Sequence, residues 1–136
     1  MIDHITLLVS DYDRSKAFFQ AALEPLGYAV VMEMSREQVP QLPVERTCGL
    51  GVGGKPDLWL RPTSNPIAAT HIAFRAPNRE AVDAFHRAAL AAGATDNGAP
   101  GPRPHYHAAY YGAFVTDPDG NNVEAVIHDH VAGSGH

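Results

Sequence analysis

HITLLVSDYDRSKAFFQAAL at residues 4–23 and HIAFRAPNREAVDAFHRAAL at residues 71–90 are two versions of one segment. They start 67 positions apart, about half of the 136-residue chain. Seven of the twenty aligned positions are identical: His4/His71, Ile5/Ile72, Ala17/Ala84, Phe18/Phe85, Ala21/Ala88, Ala22/Ala89 and Leu23/Leu90. A repeat of this length sets the architecture before any other signal is read. It also puts a histidine at the same point of each half. A pseudo-symmetric fold that brings the two together supplies half of a metal site.

Working outward, residues 2–9 read as a strand, with Ile5, Leu7 and Val9 on one face and His4, Thr6 and Leu8 on the other. Ser10 or Asp11 caps a helix over 11–24, whose apolar stripe is Ala17, Phe18, Ala21, Ala22 and Leu26. Pro25 and Gly27 end it. A strand follows at 28–34, then a loop at 35–45 and two short strands at 48–53 and 58–60 around a GGKP turn. Residues 62–66 form a linker. The second half repeats the plan: a strand at 69–76, a helix from the Asn78 cap to about residue 92, and an extended piece at 94–97. A Pro/Gly-rich loop then covers 98–109, and strands at 110–116 and 121–128 are joined by the tight-turn sequence DPDGN. Each half is β-α-β-β-β. The expected class is α+β: one domain over 1–136, made of modules 1–62 and 67–128 that form a cupped mixed sheet, with a polar tail at 129–136.

The helix of each module covers one sheet face. The other face carries His4, Thr6 and Leu8, or His71, Ala73 and Arg75, and a concave surface of that mixed kind is where a small molecule is expected. In the last strand Val123, Ala125 and Ile127 share the helix phase, so Glu124 points into the cup. A carboxylate there needs a partner. His4, His71 and Glu124 form a candidate two-histidine, one-carboxylate set for a divalent Fe, Mn, Zn, Ni or Co ion, with coordination positions left open. Within PGPRPHYHAAYYG, Arg103, His105, Tyr106, His107, Tyr110 and Tyr111 lie close together. His105 and His107 are candidate proton carriers, and Arg75, Arg103, Tyr110 and Tyr111 are candidate substrate contacts. His128, His130 and His136 read as tail residues.

Composition narrows the field. The net charge is −5 and no Lys/Arg block is present, which argues against a nucleic-acid-binding surface. No 18-residue apolar run marks a membrane span, and the first residues lack the form of a signal peptide. The single thiol, Cys48, has no activating neighbour, and one cysteine fits a reducing compartment. The expected location is therefore cytoplasmic.

The motifs DHITLLVSD, THIAF and FVTDPDGNNVEAVI make the chain resemble the vicinal oxygen chelate superfamily: glyoxalase I, extradiol dioxygenases, and bleomycin- and fosfomycin-resistance proteins. The resemblance covers nearly the whole chain. It implies metal ligands on the first and fourth strands of each module, a small-molecule substrate and a homodimer. His4, His71 and Glu124 fall on three of the four ligand positions. At the fourth, where glyoxalase I has a second glutamate, aligning Leu58 and Leu60 with Val123 and Ala125 puts Trp59 opposite Glu124. Tryptophan has no group that ligates a metal or acts as a base, but it offers a flat wall to a substrate. The leading expectation is a metal-dependent enzyme of lyase, isomerase or dioxygenase type in which Glu124, His105 and His107 are catalytic. The alternative is a non-catalytic protein that binds a drug or an aromatic compound. A fosfomycin-type transferase, which needs a cationic pocket, ranks below both.

Overall fold

The computed structural model describes residues 1–128. The expected polar tail at 129–136, with His130 and His136, lies outside the described residues. The chain divides into two compact units, Met1–Ala68 and Ala69–His136. Among the described residues, no helix is long and apolar enough to cross a membrane.

Module 1 runs β1 (Ile5–Val9), α1 (Tyr12–Leu23), a single 3₁₀ turn (Glu24–Leu26), β2 (Ala29–Ser35), β3 (Arg46–Val52) and β4 (Lys55–Pro62). Its sheet has the order β1-β4-β3-β2, with β1 parallel to β4 and the other pairs antiparallel. Module 2 runs β5 (His71–Arg75), α2 (Arg79–Ala91), β6 (Thr95–Pro102), β7 (Tyr110–Thr116) and β8 (Asn122–His128). Its order, β5-β8-β7-β6, is the same arrangement, again with the outer pair β5/β8 parallel. The α+β class and the repeated module are thus observed.

Both helices begin at side-chain caps. Asp11 accepts from the Arg14 amide and Asn78 from the Ala81 amide, each satisfying a donor that the helix itself leaves open. Gly27, with φ 90°, closes the 3₁₀ turn in the left-handed region that disfavours a Cβ. Phe18, Phe19, Ala22 and Leu23 of α1 are buried with Leu7, Val9, Leu50, Leu58 and Leu60. In module 2, Val82, Phe85 and Ala89 of α2 are buried along with Phe74, Val115, Val123 and Ala125. The alternation expected for β1 holds: Leu7 and Val9 are buried, Thr6 and Leu8 exposed.

Two expectations need correction. The first strand starts at Ile5, not residue 2, so His4 lies just ahead of β1 whereas His71 is the first residue of β5. The proposed loop at 98–109 is strand up to Pro102. Backbone irregularities between Asp96 and Gly98 and between Gly98 and Gly101 let this Gly/Pro-rich stretch pair with β7. Gly98, at φ 150°, is part of that irregular path.

The DPDGN turn is a hydrogen-bonded clamp. Asp117 and Asn121 are buried. Asp117 accepts from the Asp119 and Asn121 amides and from Asn121 Nδ2. Asn121 Oδ1 accepts from the Thr70 amide at 2.9 Å, and the Asn122 amide donates to the Thr70 carbonyl at 2.9 Å. Burial pushes the Asp117 carboxyl up, against the opposing pull of these bonds.

Two predictions arise here. At the β3/β4 bulge, a Cβ on Gly51 would lie 1.8 Å from the Lys55 carbonyl oxygen. Gly51→Ala should therefore destabilise the protein by about 3 kcal/mol in urea unfolding, the upper end of overpacking costs. In the second, Glu33 accepts from Lys16 Nζ at 2.8 and 2.9 Å and from the Tyr12 hydroxyl at 2.6 Å. The Lys16 bonds, then the Tyr12 bond, hold its carboxyl below the ordinary value of 4.5. A lowered carboxylate contributes stability that is complete above the unfolded value and is lost as pH falls through the folded one. Glu33→Gln should flatten the fall in stability below pH 4.5, measured as urea midpoints against pH.

Candidate functional site

Each sheet has one face against its helix and one open face. In module 2 the open face is set by three paired rungs: His71 with Asn122, Ala73 with Glu124, and Arg75 with Val126. Across the antiparallel pair, Phe114 lies opposite Glu124 and Tyr110 opposite His128. Glu124 is 2% exposed even though it lies on this face. Its Oε2 accepts from the Tyr110 hydroxyl, and its Oε1 is 3.1 Å from His71 Nε2. Burial, then the Glu124 bond, pushes the Tyr110 phenol well above its ordinary value, so it remains a donor. Gly112 makes the space: a Cβ there would come within 3.0 Å of the Tyr110 ring and 3.2 Å of Glu124 Oε2.

The His71 ring is oriented from its other nitrogen. Nδ1 is 3.1 Å from the Asn122 carbonyl, which can only accept, so Nδ1 carries the hydrogen. Phe114 stacks on the same ring at 6.3 Å. In neutral imidazole Nε2 then presents a lone pair to a carboxylate oxygen 3.1 Å away. Two acceptors at that distance repel unless a cation lies between them, either a proton on Nε2 or a metal. A metal-binding histidine is ordinarily held through its second nitrogen in this way.

Around Tyr110 the aromatic rings run on. Tyr106 lies 5.1 Å from Tyr110, His105 lies 4.2 Å from Tyr106, His128 lies 5.2 Å from Tyr110, and His107 lies 5.4 Å from His128. His107 Nδ1 accepts from the Ala109 amide, which puts the ring hydrogen on Nε2. His105 and His107 are thus linked to Glu124 by way of Tyr106, His128 and Tyr110. His128, read from the sequence as a tail residue, ends β8 within this cluster.

Other expected site residues are placed differently. Tyr111 belongs to the helix face: its hydroxyl donates to Asp83 of α2 at 2.7 Å, and Arg79 lies over its ring. The alternation of β7 separates it from Tyr110 and Glu124, so the structure does not bring it to the open face. Arg103 donates to the carbonyls of Ala99, Gly101 and Pro102 and lies 5.4 Å from the Phe114 ring centre. Its guanidinium holds the β6–β7 connection together. Arg75 is exposed on the open face. Phe114 was not singled out in the sequence, although its parity with Tyr110 was legible.

In module 1 Ile5 pairs with Leu58 and Thr6 with Trp59, as Ile72 pairs with Val123 and Ala73 with Glu124. Trp59 therefore occupies the rung that Glu124 fills in module 2. A hollow of about 210 Å³ adjoins it, lined among others by His4, Thr6, Met34, Pro43 and Arg61. The segment at 42–44 was missed because loop residues carry no periodicity to place them. His4 Nδ1 is 2.7 Å from Asp3 Oδ1, so it donates there and leaves Nε2 available. The His4 bond, then Lys55, holds the Asp3 carboxyl below its ordinary value. Cys48 is buried, and burial pushes its thiol up, which suits an inert side chain.

The model for the Glyoxalase/Bleomycin resistance protein/Dioxygenase superfamily matches residues 1–125, and the chain belongs to that superfamily. A glyoxalase/bleomycin resistance protein from Albidiferax ferrireducens is 28% identical, with TM-score 0.70, over 91% of this chain and 96% of that one. A glyoxalase I mutant from Zea mays is 22% identical, with TM-score 0.68, over 92% of this chain and 46% of that one. A mutant of the fosfomycin resistance protein FosX from Listeria monocytogenes, complexed with Mn(II) and 1S,2S-dihydroxypropylphosphonic acid, is 20% identical, with TM-score 0.64, over 92% and 87%. The last two likenesses concern the fold alone. No curated protein matches the chain.

Tyr110→Phe removes the hydroxyl donor from a buried carboxylate. It should cost about 1–3 kcal/mol in urea unfolding.

Proposed function

We propose that this protein binds a small molecule through a divalent metal held by His4, His71 and Glu124. The observation that carries the reading is the facing pair in module 2: His71 Nε2 and a Glu124 oxygen 3.1 Å apart, with His71 Nδ1 turned to a backbone carbonyl. That donor set suits a divalent Zn, Ni, Fe, Mn or Co ion. Among the described residues no three metal-ligating side chains converge. His4 belongs to module 1 and His71 and Glu124 to module 2, and a homodimer in which His4 and His71 of one site come from different subunits is part of the reading. When bound, the metal would supply Lewis acidity to two neighbouring substrate oxygens and favour a developing oxyanion.

The chain's own groups have separable parts. His4 and His71 present Nε2 and are held through Nδ1. Glu124 supplies charge, and Tyr110 keeps one of its oxygens oriented. Proton movement would fall to His105 or His107 at the outer end of the aromatic cluster. With Trp59 on the rung where glyoxalase I has a second carboxylate, the activity we favour is three-ligand lyase, isomerase or dioxygenase chemistry. Trp59 also supports a second reading, a binding protein without turnover, because it gives the hollow a flat apolar wall.

Metal content tests the proposal. Protein purified without a histidine tag should carry close to one metal per site by mass spectrometry. Glu124→Gln and the His4→Ala/His71→Ala pair should each lose it. Unchanged metal in the double variant would sink the reading.

A further inference from the structure

The module 1 hollow contains groups that metal binding leaves unused. Trp59 forms a wall, and its indole lies across Gly49, where an added Cβ would meet the ring at 3.1 Å. Met34, Leu42, Pro43 and Val44 add apolar surface. Arg61 lines the same hollow, two residues along β4 from Trp59 and so on the same face. It is exposed, and no hydrogen bond, ion pair or ring contact engages its guanidinium among the described residues. Neighbouring cations differ: Lys16 is bound to Glu33 and Arg46 to Asp13. A guanidinium presents five donors in a planar fork that matches a carboxylate.

The volume narrows the ligand further. At about 210 Å³ the hollow is below the roughly 300–1,000 Å³ of sites for drug-sized molecules. A flat wall favours a ring, and aromatic stacking adds to the burial of apolar area. We infer that the module 1 hollow binds a small planar aromatic carboxylate, its ring against Trp59 and its acid group on Arg61. This deepens the proposed function, since it rests on the open faces being a small-molecule site, but it does not require the metal.

Trp59 is the only tryptophan in the chain, so a ¹⁵N-labelled sample has one indole Nε1–H signal. The full chain, kept in excess EDTA, is titrated with 4-hydroxybenzoate, 4-hydroxybenzyl alcohol and cyclohexanecarboxylate. 4-Hydroxybenzoate should shift the indole signal saturably. The alcohol, which lacks the charge, and the cyclohexane acid, which lacks the plane, should each bind at least about fivefold more weakly. Arg61→Gln should weaken 4-hydroxybenzoate about tenfold, as expected for one charge-assisted contact, and leave the alcohol unaffected. An indole signal unmoved by 4-hydroxybenzoate overturns the inference. So does equal binding of either comparison compound, or undiminished binding by an Arg61→Gln protein whose spectrum is otherwise unchanged. EDTA separates the two proposals: loss of metal binding leaves this titration intact, and failure of the titration leaves metal content intact.

Discussion

The arrangement around Glu124 depends on the clamp at the β7–β8 turn. Asp117 collects three donors, and Asn121 holds the backbone at Thr70. The Asn122 amide returns a bond to the Thr70 carbonyl. These contacts fix where β8 begins beside β5. Given that starting point, His71 pairs with Asn122 and Ala73 with Glu124. A slip of one residue would turn Glu124 toward α2 and take the Asn122 carbonyl away from His71 Nδ1. The DPDGN turn therefore acts at one remove. It holds no ligand in either proposal, and it sets the register that brings His71 beside Glu124.

Much of this was legible because strands alternate. Phase alone put Glu124 and His71 on one face, and aligning Leu58 and Leu60 with Val123 and Ala125 put Trp59 on the rung equivalent to Glu124. The β1/β4 and β5/β8 registers agree with that alignment. Tyr110 and Tyr111 show where composition is a weaker guide. Both looked chemically promising in a stretch dense with functional groups, but alternation sends one to Glu124 and the other to Asp83. Arg103 was read as a candidate substrate contact, and only tertiary geometry reveals that three carbonyls and Phe114 occupy it. The β6 boundary was missed for a related reason. Proline and glycine argue for a loop, but an irregular outer strand tolerates both.

The two modules share a backbone plan and differ in what fills matching rungs. Module 2 pairs Phe114 with Glu124, and module 1 pairs Gly49 with Trp59. Large and small have changed places across the ladder. In module 2 the aromatic ring stacks on the histidine while the carboxylate takes its donor from Tyr110. In module 1 the indole needs bare backbone beneath it, which Gly49 supplies. A duplicated fold can in this way give one half to a charged centre and the other to an apolar wall, without any change of topology.

The Gly49–Trp59 pair also constrains how the protein can change. A glutamate at position 59 alone would leave the Gly49 backbone uncovered and a carboxylate without the Phe114-like neighbour. A side chain at position 49 alone would collide with the indole, at 3.1 Å, and with the Pro56 ring, at 2.7 Å. The two positions are thus coupled: what position 49 can hold depends on what stands at position 59, and the indole over bare backbone keeps glycine in place.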